Sequence, residues 1–298
     1  MSAESAEKLF DQIPVFEVDL NQLGRAEAEH EFVRVAFELL NETLRYLHYT
    51  CGLYTWERPG GLDRDEAIVV GQLVRMLKLA HAILGKAQQD RGGDQHSAIS
   101  RQFLEGLSIV KYLTKDIQDK GRFDAYVGDG LIAEKQFSSL IDGQVKNRDG
   151  EVWELEQRLQ SSISHTFESA GVEKVLLPGR KKIGYASAEE RLRLVGSTAY
   201  GAYRATSSGI HGTWHDLQFN HLRWENGKFH PEVRSAAVRP QIFFALSFWG
   251  TDACLTYIDA YLPSYMAALG PRLAAHLEKV RDSDAIHEKF IMGTSTQS

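Results

Sequence analysis

Cysteine is almost absent from this chain: Cys51 and Cys254 are its only two. They lie far apart and in no metal-ligand spacing, which excludes a disulfide scaffold, a zinc ribbon and a dithiol redox motif. Two isolated thiols fit a reducing, cytoplasmic setting. Proline is scarce too, with seven in all and none between Pro59 and Pro178. A long run without the residue that breaks helices favours helix throughout it. The opening MSAESAEKLF is acidic and lacks the basic-then-apolar order of a signal peptide. The most apolar long stretch, from Ile242 to Leu262, carries Asp252 and Asp259. A charge at mid-membrane costs several kcal/mol, so this stretch is expected as a buried helix, with no membrane partner. No GxGxxG, GxxxxGK or GxSxG sequence occurs, and no alternation of strand and helix patterns. Dinucleotide-binding, P-loop and nucleophile-elbow enzymes are therefore excluded.

What is present is an ordinary globular composition. The 298 residues are 43% hydrophobic and 25% charged, with a net charge of −6. A protein coating nucleic acid over its whole surface would be strongly basic. The charge is unevenly spread, however. Residues 1–31 hold eight acidic and two basic residues, whereas Lys174 to Arg204 holds seven basic and two acidic. The first segment reads as an acidic arm, residues 1–23, open to a protein partner. The second is a local basic patch.

Apolar residues follow the helical period along most of the chain. Helices are expected over 24–50, 63–90, 95–117, 123–145 and 151–169. Asp63 and Glu66 read as an N-terminal capping pair, Gly92-Gly93 as a stop, and Asn147-Arg148-Asp149-Gly150 as a turn. A further helix is expected from Ser187 to Gly212, opened by Ser187 and Glu190. Asn226-Gly227 predicts a turn within a short hairpin. Arg239-Pro240 should open the apolar helix, and Pro271 the last one. The expectation is an all-α fold: a compact bundle of about seven to nine helices in a single domain, 24–292. A disordered tail, 293–298, is expected to follow.

The chemistry concentrates between Arg193 and His215. If one helix ran through this segment, Arg193, Tyr200, Arg204, Ser207, His211 and His215 would share a stripe, with Ser208 beside it. Leu192, Val195, Ala199, Tyr203 and Ile210 would share the opposite, apolar one. A face of Arg, Tyr, Ser and His differs from the Glu- and Lys-rich face of a solvated helix. Arginine offers a forked donor suited to phosphate, and histidine a group titrating near neutrality. The alternative is that Arg204 and His211 hydrogen-bond neighbouring helices and organise a polar core. Arg101, Glu105, Ser108 and Tyr112 form a second stripe on another helix, read either as a cleft wall or as a surface salt bridge beside a tyrosine.

Arg204 followed by six residues and His211 resembles the Arg-x(4–6)-His motif of the HEPN superfamily of helical proteins. The wider pattern is similar to a bacterial helical family of unknown function. Its Arg-x-x-x-Glu…Tyr element is matched by Arg101, Glu105 and Tyr112, and its Tyr-Arg-x-x-Ser…His element by Tyr203, Arg204, Ser207 and His211. The likeness loosely covers residues 60–260. It implies a cytoplasmic, dimeric or otherwise homo-oligomeric RNA-binding protein or metal-independent endoribonuclease, serving antiphage defence or a toxin system. His211 would transfer the proton and Arg204 clamp the phosphate. Arg101, Glu105, Tyr112, Arg193, Tyr200, Ser207, Ser208 and His215 would line the substrate site. No cofactor or metal is expected. Ala205 stands where active members carry a polar residue, which allows a non-catalytic relative.

Three features keep other readings open. Residues 211–230 hold His211, His215, His221 and His230, four of the eleven histidines. A metal-dependent hydrolase could use them, although no HExxH motif is present. Arg180-Lys181-Lys182 could guide a phosphate backbone or be a solvated loop. Trp214, Phe219, Trp224 and Phe229 could stack unpaired bases or pack in the core or at a subunit interface. A non-catalytic interaction or sensor module is the remaining alternative.

Overall fold

The computed structural model describes residues 7–8, 10–89 and 91–295, without the side chains of residues 56, 57, 208, 294 and 295. The fold is all-α. The long helices are Glu29–Gly52, Arg64–Ala87, His96–Thr114, Lys120–Lys146, Glu154–Ala170, Ala199–His211, Pro240–Tyr261 and Met266–Ser295, with one small hairpin, Leu222–Glu225 and Lys228–Pro231. The chain packs as two compact units, residues 116–187 and the remainder.

The larger unit is organised around helix Pro240–Tyr261, which packs against Glu29–Gly52, Arg64–Ala87, His96–Thr114 and Met266–Ser295. Its inward residues include Phe243, Phe244, Leu246, Cys254, Tyr257 and Ile258, all fully or nearly fully buried. Each such side chain contributes about 1.5–3 kcal/mol on leaving water. Gly250 permits the closest approach: a Cβ there would lie 2.7 Å from Thr43 Cγ2. This helix is the apolar stretch singled out above. Asp252 is half-buried and paired with Lys111 at 2.9 Å, while Asp259 is exposed. One described helix, Arg64–Ala87, is long and apolar enough to cross a membrane by length and composition, a test that buried core helices also pass.

Part of the acidic arm is docked on this unit. Phe10 and Ile13 are buried, and Arg272 donates to both of their carbonyls. Beside them lies a buried polar cluster. The Glu42 carboxylate accepts from the Phe16 amide at 3.0 Å and the Tyr46 hydroxyl at 2.7 Å. It lies 3.2 Å from His276 Nδ1 and 3.4 Å from Lys279 Nζ. Burial alone would push the Glu42 carboxyl up; the His276 imidazole and these donors outweigh it and hold it at about 2.

The smaller unit pairs helices Lys120–Lys146 and Glu154–Ala170. Leu131, Ile132, Ile141, Ile163, Phe167 and Leu177 form its core. Asp149 and Gly150 take positive φ angles of 57° and 91° in the connecting turn, as the Asn-Arg-Asp-Gly run predicts.

Four local expectations are corrected. Asp63 makes no side-chain cap. Glu66 is instead drawn into the core, where Tyr257 donates to it at 2.8 Å and Arg58 pairs with it. The last helix opens at Met266, behind a short turn at Pro263–Tyr265, and Pro271 lies inside it. The proline costs one backbone bond, which packing outweighs. That helix also continues to Ser295, three residues into the expected tail, whose residues 296–298 lie outside the described residues. The fourth correction concerns the segment from Ser187 to Gly212. It forms two helices, Ala188–Leu192 and Ala199–His211. Residues 193–198 separate them, Gly196, Ser197 and Thr198 among them; glycine costs backbone entropy in a helix, and serine and threonine compete for its backbone bonds.

Candidate functional site

Helix Ala199–His211 lies directly on helix His96–Thr114. A small residue makes this possible, since a Cβ at Gly209 would stand 2.7 Å from Ser97 Cβ. Arg101 fastens the pair. It donates to the Tyr203 hydroxyl at 2.7 Å and its guanidinium lies 4.5 Å from the ring centroid. One turn further on, Glu105 faces the buried Arg191 at 3.8 Å. Leu104, Leu192 and Ala199 close the apolar seam, with Tyr200 and Tyr203 packed against it. The Arg101–Glu105 stripe therefore does face the segment carrying the histidine motif, through Tyr203 and Arg191. Tyr112, on the same helix, is half-buried. Ser108 is buried and donates to the Glu105 carbonyl at 2.7 Å.

The expected six-residue stripe does not survive intact. Arg193 lies in the break between the two helices and pairs with Glu189 at 2.5 Å. Gly212, at φ 56°, ends the second helix, so His215 belongs to the next one, Trp214–Asn220, where its ring packs on Phe219 at 4.6 Å. Tyr200 is half-buried against the seam. Ser207 is also half-buried and donates to the Tyr203 carbonyl at 2.8 Å. Ser208 lies in the helix, but its side chain lies outside the described residues. Ile210, assigned to the apolar stripe, is 42% exposed, because it occupies the last turn.

Arg204 and His211 remain together. They are seven residues apart on one uninterrupted helix, so their side chains leave the same face, about 10 Å apart along the axis. Both are exposed. Among the described residues neither has a hydrogen-bond or ion-pair partner. They do not organise a polar core.

The segment that follows is also turned outward. Trp214, Phe219, Trp224 and Phe229 are 43% to 71% exposed, so these aromatics are not core residues. Phe229 packs against Trp214 at 5.2 Å and Trp224 at 4.3 Å between ring centroids. The hairpin bearing Trp224 and Phe229 turns at Asn226-Gly227 with φ of 53° and 74°, the paired positive angles that the sequence predicts. Asp216 beneath is 6% exposed and accepts from Asn220 at 2.9 Å. In the smaller unit, Arg180, Lys181 and Lys182 form a single helical turn with Ile183, and Arg180 faces Asp129 at 3.3 Å.

The histidines from 211 to 230 do not converge. Among the described residues, the side chains that bring three ligand atoms within 4.8 Å of one another are Asp284, His287 and Glu288. The i, i+3, i+4 spacing of this trio on one helix is legible in the sequence, whereas the burial of its histidine is not. Burial holds the His287 imidazole below the usual histidine range, outweighing the pull of Glu29 and Glu288. Burial and the Glu288 charge push the Asp284 carboxyl up to about 6.

Residues 66–229 match the profile of a family described as Family of unknown function (DUF5677). The match spans both helix stripes and the hairpin as far as Phe229. No curated protein and no solved structure matches the chain.

Proposed function

We propose that this chain, which belongs to the family of unknown function DUF5677, is an RNA-binding, metal-independent endoribonuclease acting through Arg204 and His211. One observation carries the reading. The two side chains that combine phosphate recognition with proton transfer share an exposed face and, among the described residues, have no hydrogen-bond or ion-pair partner. An arginine or histidine with a purely structural role would be buried against a partner, as Arg191 is beside Glu105 and His276 beside Thr43.

The chemistry follows from the groups. The Arg204 fork binds the scissile phosphate and offsets the charge that builds on it. His211 takes the proton from the substrate's 2′-hydroxyl, whose oxygen attacks the adjacent phosphorus. The 5′-oxygen leaves and takes up a proton. The products end in a 2′,3′-cyclic phosphate and a 5′-hydroxyl. The exposed rings of Trp214, Trp224 and Phe229 offer stacking surfaces for unpaired bases, each worth about 1–3 kcal/mol. The separation of about 10 Å between the two residues along one helix suits a site completed by a second copy of the chain, whose own pair supplies the missing neighbour.

The test is cleavage of single-stranded RNA by purified protein in EDTA. Wild type is expected to cut RNA and not DNA, which lacks the attacking hydroxyl. His211→Ala should lose 10²–10⁴-fold, the usual share of a general acid–base group, with Tm unchanged. Arg204→Lys should also be severe, because a point charge does not reproduce the fork. Cleavage by His211→Ala at the wild-type rate refutes the assignment. A wild type that binds RNA without cutting it identifies the non-catalytic relative that Ala205 allows.

A further inference from the structure

We propose that Asp284, His287 and Glu288 on the last helix form a binding site for a divalent transition cation of the zinc class. Three observations support it, all independent of the Arg204–His211 face.

The first is the histidine itself. His287 is fully buried, beneath Phe32, Phe244 and Phe290 at ring-centroid separations of 4.8 to 6.5 Å. Neither of its ring nitrogens has a hydrogen-bond partner among the described residues. A buried polar group without a partner is uncommon and calls for a physical explanation, a bound ion being one. The nearest carboxylate oxygen outside the trio, Glu29 Oε1, stands 3.9 Å from Nε2, beyond hydrogen-bond range.

The second is convergence. One turn of helix places Asp284 and Glu288 four residues apart with His287 between them, and one atom from each lies within 4.8 Å of the others. Three ligands bonded tetrahedrally at about 2.1 Å to one ion lie about 3.4 Å from one another. Closing the trio around an ion therefore shortens its widest separation by at most about 1.4 Å, shared between two side chains. Glu288 is exposed and Asp284 half-buried, so both have room to make it, and an ion has an open route from solvent.

The third is charge. Asp284 and Glu288 repel each other at i, i+4 spacing, and among the described residues neither has a lysine or arginine partner. A cation satisfies both carboxylates and the orphaned imidazole at once. The donor set names its class. All-oxygen sites suit magnesium and calcium, whereas imidazole with carboxylates suits zinc and its neighbours. Three protein ligands leave a position for water.

The test uses untagged full-length protein freed of metal with EDTA and then dialysed. Titration with Co2+, read by its d–d absorption, should saturate at one ion per chain, and Zn2+ should displace it. Zn2+ should also raise the Tm. Asp284→Asn and Glu288→Gln change only the half-buried and exposed ligands. They should weaken Co2+ binding by at least roughly 100-fold, the upper range for losing even an outer-shell partner. In EDTA the two variants should melt no lower than wild type, since each removes a repulsion. A His215→Ala/His221→Ala variant should bind Co2+ like wild type. The proposal is overturned if wild type shows no saturable Co2+ signal. It is equally overturned if the Asp284→Asn/Glu288→Gln double variant keeps wild-type affinity, which places the ion elsewhere.

Discussion

Replacing Glu42 by glutamine separates a buried charge cluster from ordinary acid unfolding. The carboxylate is 2% exposed and is held from the ordinary value of 4.5 down to about 2. At about 1.36 kcal/mol per pH unit this is on the order of 3 kcal/mol of stability at neutral pH. The sign follows from linkage. A group whose folded value lies below its unfolded one contributes fully above about 4.5, and the contribution is lost as pH falls toward about 2. At pH 3 about half of it, roughly 1.5 kcal/mol, remains. Glutamine keeps the shape and still accepts from the Phe16 amide, but loses the charge facing His276 and Lys279. Urea unfolding followed by the near-ultraviolet signal, at pH 7 and pH 3, gives the comparison. Glu42→Gln should be less stable at pH 7 by about 3 kcal/mol, and the gap to wild type should shrink by half at pH 3. A gap of equal size at both values refutes the reasoning, because the loss would then come from packing and not from charge.

Two further substitutions probe how the helices are seated. Gly250→Ala places a Cβ 2.7 Å from Thr43 Cγ2 and against Leu47 and Phe103. Overpacking of about 1–3 kcal/mol should exceed the helix-propensity gain of about 1 kcal/mol, so the Tm falls; a rise would show that the two helices separate freely. Tyr203→Phe removes the bond from Arg101 and keeps the ring beneath the guanidinium. It should cost about 0.5–1.5 kcal/mol and speed amide exchange in helix Ala199–His211, while unchanged exchange would mean that Gly209 packing alone seats that helix.

Much of this architecture was written locally. The helical periods of Val69, Leu73, Met76, Ala80 and Ile83, or of Ile99, Phe103, Leu107 and Val110, survive in the structure as buried faces, because a stripe at that spacing has only one way to leave water. Asn226-Gly227 and Arg239-Pro240 acted as local signals too, since backbone angles at such residues depend little on their surroundings. The shared face of Arg204 and His211 was legible for the same reason: seven residues on an unbroken helix return to one side. What the sequence left undetermined was where neighbouring chain outbids a local preference. Glu66 could have capped its own helix, yet Tyr257 and Arg58 draw it inward from distant parts of the chain. Pro271 could have opened a helix, yet packing carries the helix across it. Arg193 and His215 match the stripe by spacing alone, and a six-residue break, 193–198, and a left-handed glycine remove them. Tertiary structure alone decided that Arg204 and His211 face solvent, that Glu42 meets His276 across more than two hundred residues, and that His287 lies buried with no hydrogen-bond partner among the described residues. Exposure and long-range pairing depend on which surfaces meet, and periodicity carries no record of that.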